Sequence, residues 1–409
     1  MKNERRRIKV SIVVCFNDQE ILEENLLKSL RQQQNIDFEL MAVDNTRRKF
    51  LSIPSALNDG GRRATGDYIM FIHQDVYLCG IDWLDKALNF LYKLPNVGAA
   101  GVAGVDSNGK PVGFILDRGR YWGRPLGEPF PVQTLDEQLI IIPRGVFEKV
   151  KFDERFNFHL YGADYCLSVQ NLGLKVYVLP LMVEHNSLTI GTLNASSIES
   201  QDAMLRKKYL GLHKVIYKTT GNLGRKRDAL RKRIASLYSN FFFASSLIIL
   251  RLWKISMNQK IVLDVGCIPL EQHALKKYLA KKKFSVGISN NNRYLVISKK
   301  LGVHDDYVVA APERLPFRER SFDIAFLSGL LEYLSKDKGE QVVYASEEVA
   351  KGSIVKVPCS CSPIDTTHMV FRSCWEVNDF KGRHYRTFSI GLKQRAFPCI
   401  LFAYKSAYI

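Results

Sequence analysis

The 409-residue sequence predicts an α/β protein with two doubly wound sheets, one in each half of the chain. Short apolar runs rich in β-branched and aromatic residues alternate with helical patterns, which is typical of parallel strands joined by crossover helices. The same alternation starts again near residue 260, after a basic and then apolar stretch, which indicates a second domain. Apolar content of 46% and charged content of 24% are ordinary for globular domains.

Three apolar runs near the start of the chain predict the first three strands of the front sheet. They cover residues 8–16, 38–43 and 68–72. Leucines at helical spacing after Asp18 predict a helix to about residue 34, and residues 58–66 predict a short helix or loop. Strand, helix, strand, helix, strand indicates a mostly parallel sheet.

Polar residues follow each of these strands. Because the carboxyl ends of parallel strands meet at one edge of a sheet, we expect a shared nucleotide site there, with three ordinary turns as the alternative. The residues of this predicted site are Cys15, Phe16, Asn17, Asp44, Asn45 and Gln74. Asp75, just beyond the third strand, suits a hard divalent cation that also holds phosphates. Turn formation or helix capping is the alternative for that aspartate.

The formal net charge of +18 indicates an anionic partner: nucleotide phosphates, an anionic membrane or nucleic acid. A basic run at 225–233 precedes an uncharged apolar stretch at 234–250. This pattern favours a helix in the membrane interface, with a helix packed between domains as the alternative. Nucleic acid is disfavoured because aromatic residues are not interleaved with the basic run.

The start of the chain lacks a secretory leader pattern, and the chain lacks an 18-residue apolar run. These observations predict a cytoplasmic protein, with association to the inner face of the cell membrane left open. Eight cysteines lack metal-site spacing, which favours free thiols.

The front half resembles the family 2 inverting glycosyltransferases, which have the GT-A fold. The resemblance covers roughly residues 8–215 and is carried by VSIVVCFNDQEILEENLLKSLRQQ, FELMAVDN and GDYIMFIHQDV. In its HQDV form it is similar to the branch named for a streptomycin-biosynthesis glycosyltransferase. It implies that Asp44 contacts the nucleotide base or ribose and that Asp75 belongs to a DXD-type metal motif. The first acidic position of that motif is His73 here.

Two later segments extend this resemblance. LDEQLIIIPRGVFEKVKFDERF resembles the acceptor-side segment and implies that Asp136 is its inward carboxylate. FHLYGADYCLSVQNLGLKVYVLP resembles the segment with the catalytic base, where the acidic pair of many relatives falls on Tyr161 and Gly162. The resemblance then leaves Asp164 as the base, with helix capping as the alternative. VEHNS resembles a late histidine motif and implies that His185 binds the metal or diphosphate, with a structural histidine as the alternative.

The rear half resembles the class I S-adenosylmethionine-dependent methyltransferases, which have a Rossmann-like fold. VLDVGC, PERLPF and SFDIAFLSGLLEYL carry the resemblance. Ile268, Pro269 and Leu270 replace the glycine-rich loop, Ser289 replaces the acidic ribose ligand, and Ala311 replaces an expected aspartate. We therefore expect the domain not to use S-adenosylmethionine, which leaves scaffolding, acceptor binding and dimerisation open. The predicted strands are 260–267, 284–289, 307–310, 322–327 and 353–358, with a closing antiparallel pair at 387–392 and 399–405.

The sequence thus predicts a GT-A domain at 1–220, a helical connector at 221–258 and a methyltransferase-like domain at 259–409. The resemblances imply a metal-dependent inverting glycosyltransferase that uses Mn²⁺ or Mg²⁺ and moves a sugar from a nucleotide-sugar to a glycan or lipid-linked acceptor. Two alternatives remain: a bifunctional glycosyltransferase and methyltransferase, and a non-catalytic glycan-binding protein. Homo-oligomer formation is left open.

Overall fold

The computed structural model describes residues 10–186, 195–209, 211, 215–219, 257–358, 372–390 and 400–405. The chain divides into two compact units: a front unit of residues 1–117 and 122–232, and a rear unit of residues 118–121 and 233–409. The predicted connector at 221–258 lies outside the described residues except for its last two positions. Within the described ranges, no helix is long and apolar enough to cross a membrane.

The front unit begins with strands and helices in alternation, as predicted, and then has seven successive strands, β5 to β11, that the sequence did not predict. Its strands are β1 (Val10–Phe16), β2 (Phe38–Asp44), β3 (Tyr68–His73), β4 (Val76–Leu78), β5 (Val97–Gly101), β6 (Ala103–Val105), β7 (Pro111–Asp117), β8 (Arg120–Arg124), β9 (Phe130–Pro131), β10 (Thr134–Leu135), β11 (Leu139–Pro143), β12 (Lys175–Val178) and β13 (Val183–His185). Its helices are α1 (Gln19–Leu22), a π-helical segment (Glu23–Leu27), α2 (Lys28–Leu30), α3 (Ile53–Arg63), α4 (Trp83–Lys93), α5 (Arg144–Lys149), α6 (Tyr161–Gln170) and α7 (Ala195–Tyr209).

Two sheets organise this unit. The first has the order β2-β1-β3-β11-β5-β12-β9, and the second has the order β10-β6-β7-β13-β4. β1 pairs in parallel with both β2 and β3, which confirms the three predicted parallel strands, with β2 at the edge of the sheet. β11 runs antiparallel to β3 and β5, so the sheet is mixed on its far side.

The core lies on both faces of the first sheet, because successive side chains of a strand point to opposite faces. Val13 and Phe71 belong to one buried cluster, with helices α3 and α6. Ile12 and Ile72 belong to the other, with helix α4. Both faces of β1 and β3 are therefore withdrawn from water, whereas the edge strand β2 is partly exposed.

Local capping residues set the helix boundaries that the sequence predicted imperfectly. The Asp18 carboxylate accepts a hydrogen bond from the Ile21 N–H, as expected for a cap. Helix α3 begins at Ile53, earlier than the predicted start at residue 58. The reason is the Ser52 hydroxyl, which accepts from the Ser55 N–H, together with a proline in the first turn.

The rear unit forms one seven-stranded sheet. Its strands are β14 (Ile261–Val265), β15 (Phe284–Ser289), β16 (Asp306–Val309), β17 (Ile324–Ser328), β18 (Ser353–Pro358), β19 (Arg386–Ile390) and β20 (Ile400–Lys405). Its helices are α8 (Pro269–Tyr278), α9 (Asn292–Leu301) and α10 (Lys336–Val349), with 3₁₀ turns at Leu279–Lys281, Leu331–Tyr333 and Val377–Phe380.

The order of this sheet is β16-β15-β14-β17-β18-β20-β19. β14 to β18 are parallel, and β20 runs antiparallel to β18 and β19, which confirms the predicted closing pair. Cys15, Cys166 and Cys267 carry free thiols, as predicted. Cys374 is in a disulfide, which corrects the prediction for that residue, because pairing depends on contacts that spacing does not show.

We expect Gly60→Ala to destabilise the front unit. A Cβ on Gly60 would lie 2.4 Å from Val13 Cγ1, so helix α3 would have to move away from β1. Overpacking of this kind costs about 1–3 kcal/mol. Calorimetric melting should show a lower transition temperature than in the wild type. Gly145→Ala is the control: its added methyl meets nothing within 4 Å, so its melting temperature should stay level or rise. Equal effects of the two changes would contradict the packing argument.

Candidate functional site

The carboxyl ends of β1, β2 and β3 meet at one edge of the first sheet, as the sequence predicts. Phe16 lies opposite Asp44, and Cys15 lies opposite His73. The Asn45 N–H also donates to the Phe16 carbonyl at 2.8 Å. The predicted nucleotide-site residues are therefore brought together by strand register alone.

Gln74 joins two of these strand ends through its side chain. Its Oε1 accepts from the backbone N–H groups of Asn17 at 2.9 Å and Asp18 at 3.1 Å. Its Nε2 donates to Asn17 Oδ1 at 2.7 Å. Asn45 fixes the next loop, because its Oδ1 accepts from the Phe50 N–H at 2.8 Å. Both amides hold backbone in place at the edge of the site.

Asp44 and Cys15 differ in what they offer at this edge. The Asp44 carboxylate is exposed and accepts from the Thr46 N–H at 2.8 Å, which lowers its pKa. Burial, together with the Asp44 charge, raises the pKa of the Cys15 thiol to about 11. Asp44 is therefore an ionised acceptor facing solvent, whereas Cys15 stays a neutral thiol and is unsuited to act as a nucleophile.

His73, Asp75 and His185 converge beside these strand ends. Each offers one ligand atom, and these atoms lie within 4.8 Å of one another. Asp75 Oδ1 and His185 Nε2 are 3.5 Å apart, and both are buried atoms without a hydrogen-bond partner. Orphaned buried polar atoms are costly unless a ligand satisfies them. Two imidazoles and a carboxylate fit a divalent transition metal, so the donor set is compatible with the predicted metal site.

Asp117 supports His185 from the outer side of this cluster. His185 Nδ1 and Asp117 Oδ1 are 2.9 Å apart, which fixes the ring orientation. Such carboxylate–histidine pairs commonly orient metal ligands. Burial would lower the pKa of His185, but the carboxylates of Asp75 and Asp117 outweigh it and raise the pKa to about 9. Burial lowers the pKa of His73, so that imidazole is neutral.

Buried amides anchor the backbone on either side of His185. The Asn186 N–H donates to the Asp75 carbonyl at 2.9 Å. Its Nδ2 donates to Asn25 Oδ1 at 3.1 Å and to Glu184 Oε1 at 2.9 Å. Asn25 lies in the π-helical segment, an irregularity that is frequent near functional sites. This network ties β13 to the first helical region.

Asp136 and Glu137 approach the same cluster from the loop before β11. The negative charge of Asp136 acts on both His73 and His185. Its Oδ1 accepts from the Gln138 N–H at 3.2 Å. Glu137 is partly exposed, and its Oε1 accepts from the Gly162 N–H at 3.3 Å. Sequence reasoning predicted Asp136 and missed Glu137, although the two are adjacent.

Asp164 lies in the first turn of α6, whose N-cap residue is Leu160 without a side-chain cap, which corrects the capping alternative. Its carboxylate is 2.7 Å from Lys208 Nζ and accepts from the Tyr209 hydroxyl at 2.9 Å. Burial raises the pKa of Asp164, while Lys208 and Tyr209 oppose that rise. The described contacts of Asp164 therefore join α6 to α7, and its role as a base stays a prediction.

The rear unit contains a second polar cluster at the end of β14. Asp264, Cys267 and His304 are buried and place their ligand atoms within 4.8 Å of one another. Asp264 Oδ2 accepts from Gln272 Nε2 at 2.9 Å and lies 3.0 Å from His304 Nε2. Hydrogen bonds within the domain thus already satisfy this carboxylate. Ile268, which replaces the glycine-rich loop, is 5% exposed and belongs to the hydrophobic core.

Two known families match separate parts of the chain, one in the front half and one in the rear half. Residues 11–209 match the family described as "Glycosyltransferase like family". Residues 263–351 match the family described as "Methyltransferase domain". The two resemblances inferred from the sequence, and the α/β fold class, are confirmed at this level.

Curated relatives share only part of their length with this chain. ATP synthase subunits region ORF 6 of Fuscovulum blasticum is 28% identical over 159 residues, which is 36% of this chain and 62% of that protein. O-antigen biosynthesis protein RfbC of Myxococcus xanthus is 26% identical over 245 residues, which is 49% of this chain and 18% of that protein. The chain thus spans less than two thirds of either relative.

Among solved structures, the mannosyltransferase PcManGT from Pyrobaculum calidifontis, in complex with GDP-Man and Mn²⁺, aligns with a TM-score of 0.35. It is 14% identical, and the alignment covers 49% of this chain and 63% of that chain.

We expect Asp164→Asn to lower the melting temperature of the front unit by several degrees. Loss of a hydrogen bond to a charged group costs about 1.5–3 kcal/mol, and each kcal/mol lowers the melting temperature of a unit of this size by about 2–4 °C. Asp59→Asn is the matched control, because the Asp59–Arg63 pair is exposed and such pairs contribute little. Calorimetry would oppose this assignment if the two variants melted alike.

Proposed function

We propose that this chain, which combines a glycosyltransferase-like domain with a methyltransferase domain, is a metal-dependent inverting glycosyltransferase. It would move a sugar from a nucleotide-sugar donor to a glycan or lipid-linked acceptor. The observation that carries the proposal is the convergence of His73, Asp75 and His185 beside the predicted nucleotide edge, where Asp75 Oδ1 and His185 Nε2 lie 3.5 Å apart and make no hydrogen bond.

The donor set favours Mn²⁺ over Mg²⁺ in this proposal. Mg²⁺ prefers an octahedral shell of oxygen atoms, whereas imidazole suits transition metals. A bound divalent ion would neutralise the charge that develops on the departing diphosphate. Asp117 would keep the His185 ring turned towards the ion.

The nucleotide would lie along the ends of β1, β2 and β3. Asp44 is exposed at this edge and is suited to accept hydrogen bonds from the nucleoside. Cys15, Phe16 and Asn17 would line the edge, while Gln74 and Asn45 hold its backbone through the hydrogen bonds described above.

Inverting transfer needs a base for the acceptor hydroxyl on the sugar face opposite the leaving diphosphate. Asp136 is the proposed acceptor-side carboxylate, and its charge acts on both His73 and His185. Asp164 could act as the base only if its ion pair with Lys208 opened, since that pair occupies its Oδ1.

The acceptor class is supported by one relative and by one segment of sequence. The relative from Myxococcus xanthus is named for O-antigen biosynthesis, which favours a polysaccharide or lipid-linked acceptor. The basic run at 225–233 and the apolar stretch at 234–250 would provide contact with the inner face of the cell membrane. Homo-oligomer formation belongs to the same proposal.

The rear unit matches a methyltransferase domain, so a bifunctional glycosyltransferase and methyltransferase is the second candidate function. We favour instead a rear domain that does not use S-adenosylmethionine. Ile268 fills core space where a glycine-rich loop would approach the cofactor, and Asp264 is engaged by Gln272 and His304. Ser289, at the ribose position, is buried and accepts from the Asn291 N–H at 3.2 Å.

We expect Asp75→Ala to abolish donor turnover. Nucleoside diphosphate release from a panel of nucleotide-sugars, with Mn²⁺ or Mg²⁺, should fall by about 10²-fold or more, since metal charge stabilisation is worth several kcal/mol. Calorimetric titration should also show loss of Mn²⁺ binding. Asp67→Ala, at the exposed opposite end of β3, is the control and should keep wild-type turnover.

Full turnover in Asp75→Ala would refute the metal assignment. A wild-type protein that binds glycans and releases no nucleoside diphosphate from any donor would favour the glycan-binding alternative.

Calorimetric titration of the full chain with S-adenosylmethionine should show no binding heat. The expected reason is the buried Ile268 side chain, which leaves no close approach for the cofactor. Saturable binding with one site per chain would restore the bifunctional alternative.

A further inference from the structure

We infer that Glu137 is the general base of the transfer, in place of the acidic pair that Tyr161 and Gly162 do not provide. This inference rests on the proposed glycosyltransferase function and assigns one step of it to a residue of this chain. The geometry points to Glu137 through one close approach between a loop and a helix.

Glu137 occupies the space that a side chain at position 162 would need. Gly162 is the second residue of α6, and a Cβ built on it would lie 2.7 Å from Glu137 Cγ. The Glu137 carboxylate accepts from the Gly162 N–H at 3.3 Å, at the helix N-terminus, where negative charge is stabilised. An acidic side chain at position 162 would therefore require the Glu137 side chain to move, and in this chain Glu137 takes that space.

Hydrogen bonds connect Glu137 to the metal-site cluster. The Tyr161 hydroxyl lies 3.5 Å from the Glu137 carbonyl oxygen and 3.1 Å from His73 Nε2. Burial raises the pKa of Tyr161 far above its usual value, so this hydroxyl stays neutral. The Glu137 backbone thus lies beside the tyrosine that contacts His73, whereas Asp164 lies in the contact between α6 and α7.

The Glu137 carboxylate is more accessible to a substrate than the Asp164 carboxylate. Its side chain is partly exposed, and no salt bridge to it is found among the described residues. Asp164, in contrast, is 1% exposed and lies 2.7 Å from Lys208 Nζ. A base must accept a proton from a substrate, so an accessible carboxylate without a bound cation suits the role better.

The electrostatic surroundings of Glu137 favour proton acceptance. The titratable groups that face it are Asp136, Tyr161, Cys166 and Lys218. Burial, followed by the charge of Asp136, raises the pKa of Glu137 to about 8. General bases work best when their pKa lies near the operating pH.

The proposed step balances without a further reactant. The acceptor oxygen forms a bond to the anomeric carbon as its proton passes to the Glu137 carboxylate. The bond between that carbon and the diphosphate oxygen breaks, and its electron pair leaves with the nucleoside diphosphate.

Glu137→Gln tests this assignment. With the nucleotide-sugar that the wild type turns over and Mn²⁺, the kcat/KM of transfer should fall by about 10²–10⁴-fold, while the Kd of the nucleoside diphosphate with Mn²⁺ stays unchanged. The wild-type kcat/KM should rise with pH up to about 8, because the base must be ionised, and the variant should lose that rise. Glu148→Gln, on an exposed face of α5, is the control with wild-type kinetics.

A rescue separates a base from a structural residue. In the Glu137→Ala background the obstructing Cγ is gone, so Gly162→Asp can supply a carboxylate from the helix side. Recovery of transfer in this double variant over Glu137→Ala alone would support the inference. Glu137→Gln with wild-type transfer and pH profile would overturn it while leaving the proposed function intact. A wild-type protein without turnover on any donor would overturn both.

Discussion

The candidate site of the front unit depends on the short connection between its two sheets. Only Gln74 and Asp75 separate β3 of the first sheet from β4 of the second. β13 pairs with β4 so that His185 lies opposite Val76. This short junction forces Asp75 and His185 to the same point, and the Asn186 N–H bond to the Asp75 carbonyl holds them there.

Charge compensation explains why such a cluster is tolerated in the fold. His185 lies between the carboxylates of Asp75 and Asp117, whereas His73 is neutral because it is buried. Partly buried charges need partners, and Asp75 Oδ1 and His185 Nε2 are 3.5 Å apart as an ion pair without a hydrogen bond. A metal cation between these two atoms would take the place of the His185 proton, which is the physical basis for proposing a metal site at the junction.

The acidic residues near this junction show that proximity in sequence does not decide their chemistry. Asp164 lies on the face of α6 that meets α7, where Lys208 neutralises it. Glu137 comes from a loop two residues before β11 and takes the room that Gly162 leaves. In the rear unit, the Asp264 carboxylate is held by contacts with Gln272 and His304, and the Ile268 side chain belongs to the hydrophobic core. The role of a carboxylate therefore depends on whether a cation or a hydrogen-bond donor of the same domain is packed against it.

The sequence by itself determined the first three parallel strands of the front sheet, the strands of the rear sheet and the gathering of Asp44, Gln74 and Asp75 at one edge. These follow from local apolar patterns and from the rule that parallel strands end together. It could not determine the partners of His73, the support of Asp117 or the substitution of Glu137 for a side chain at 162. Those depend on contacts between segments far apart in the chain, which only the packing of the two sheets and helix α6 decides.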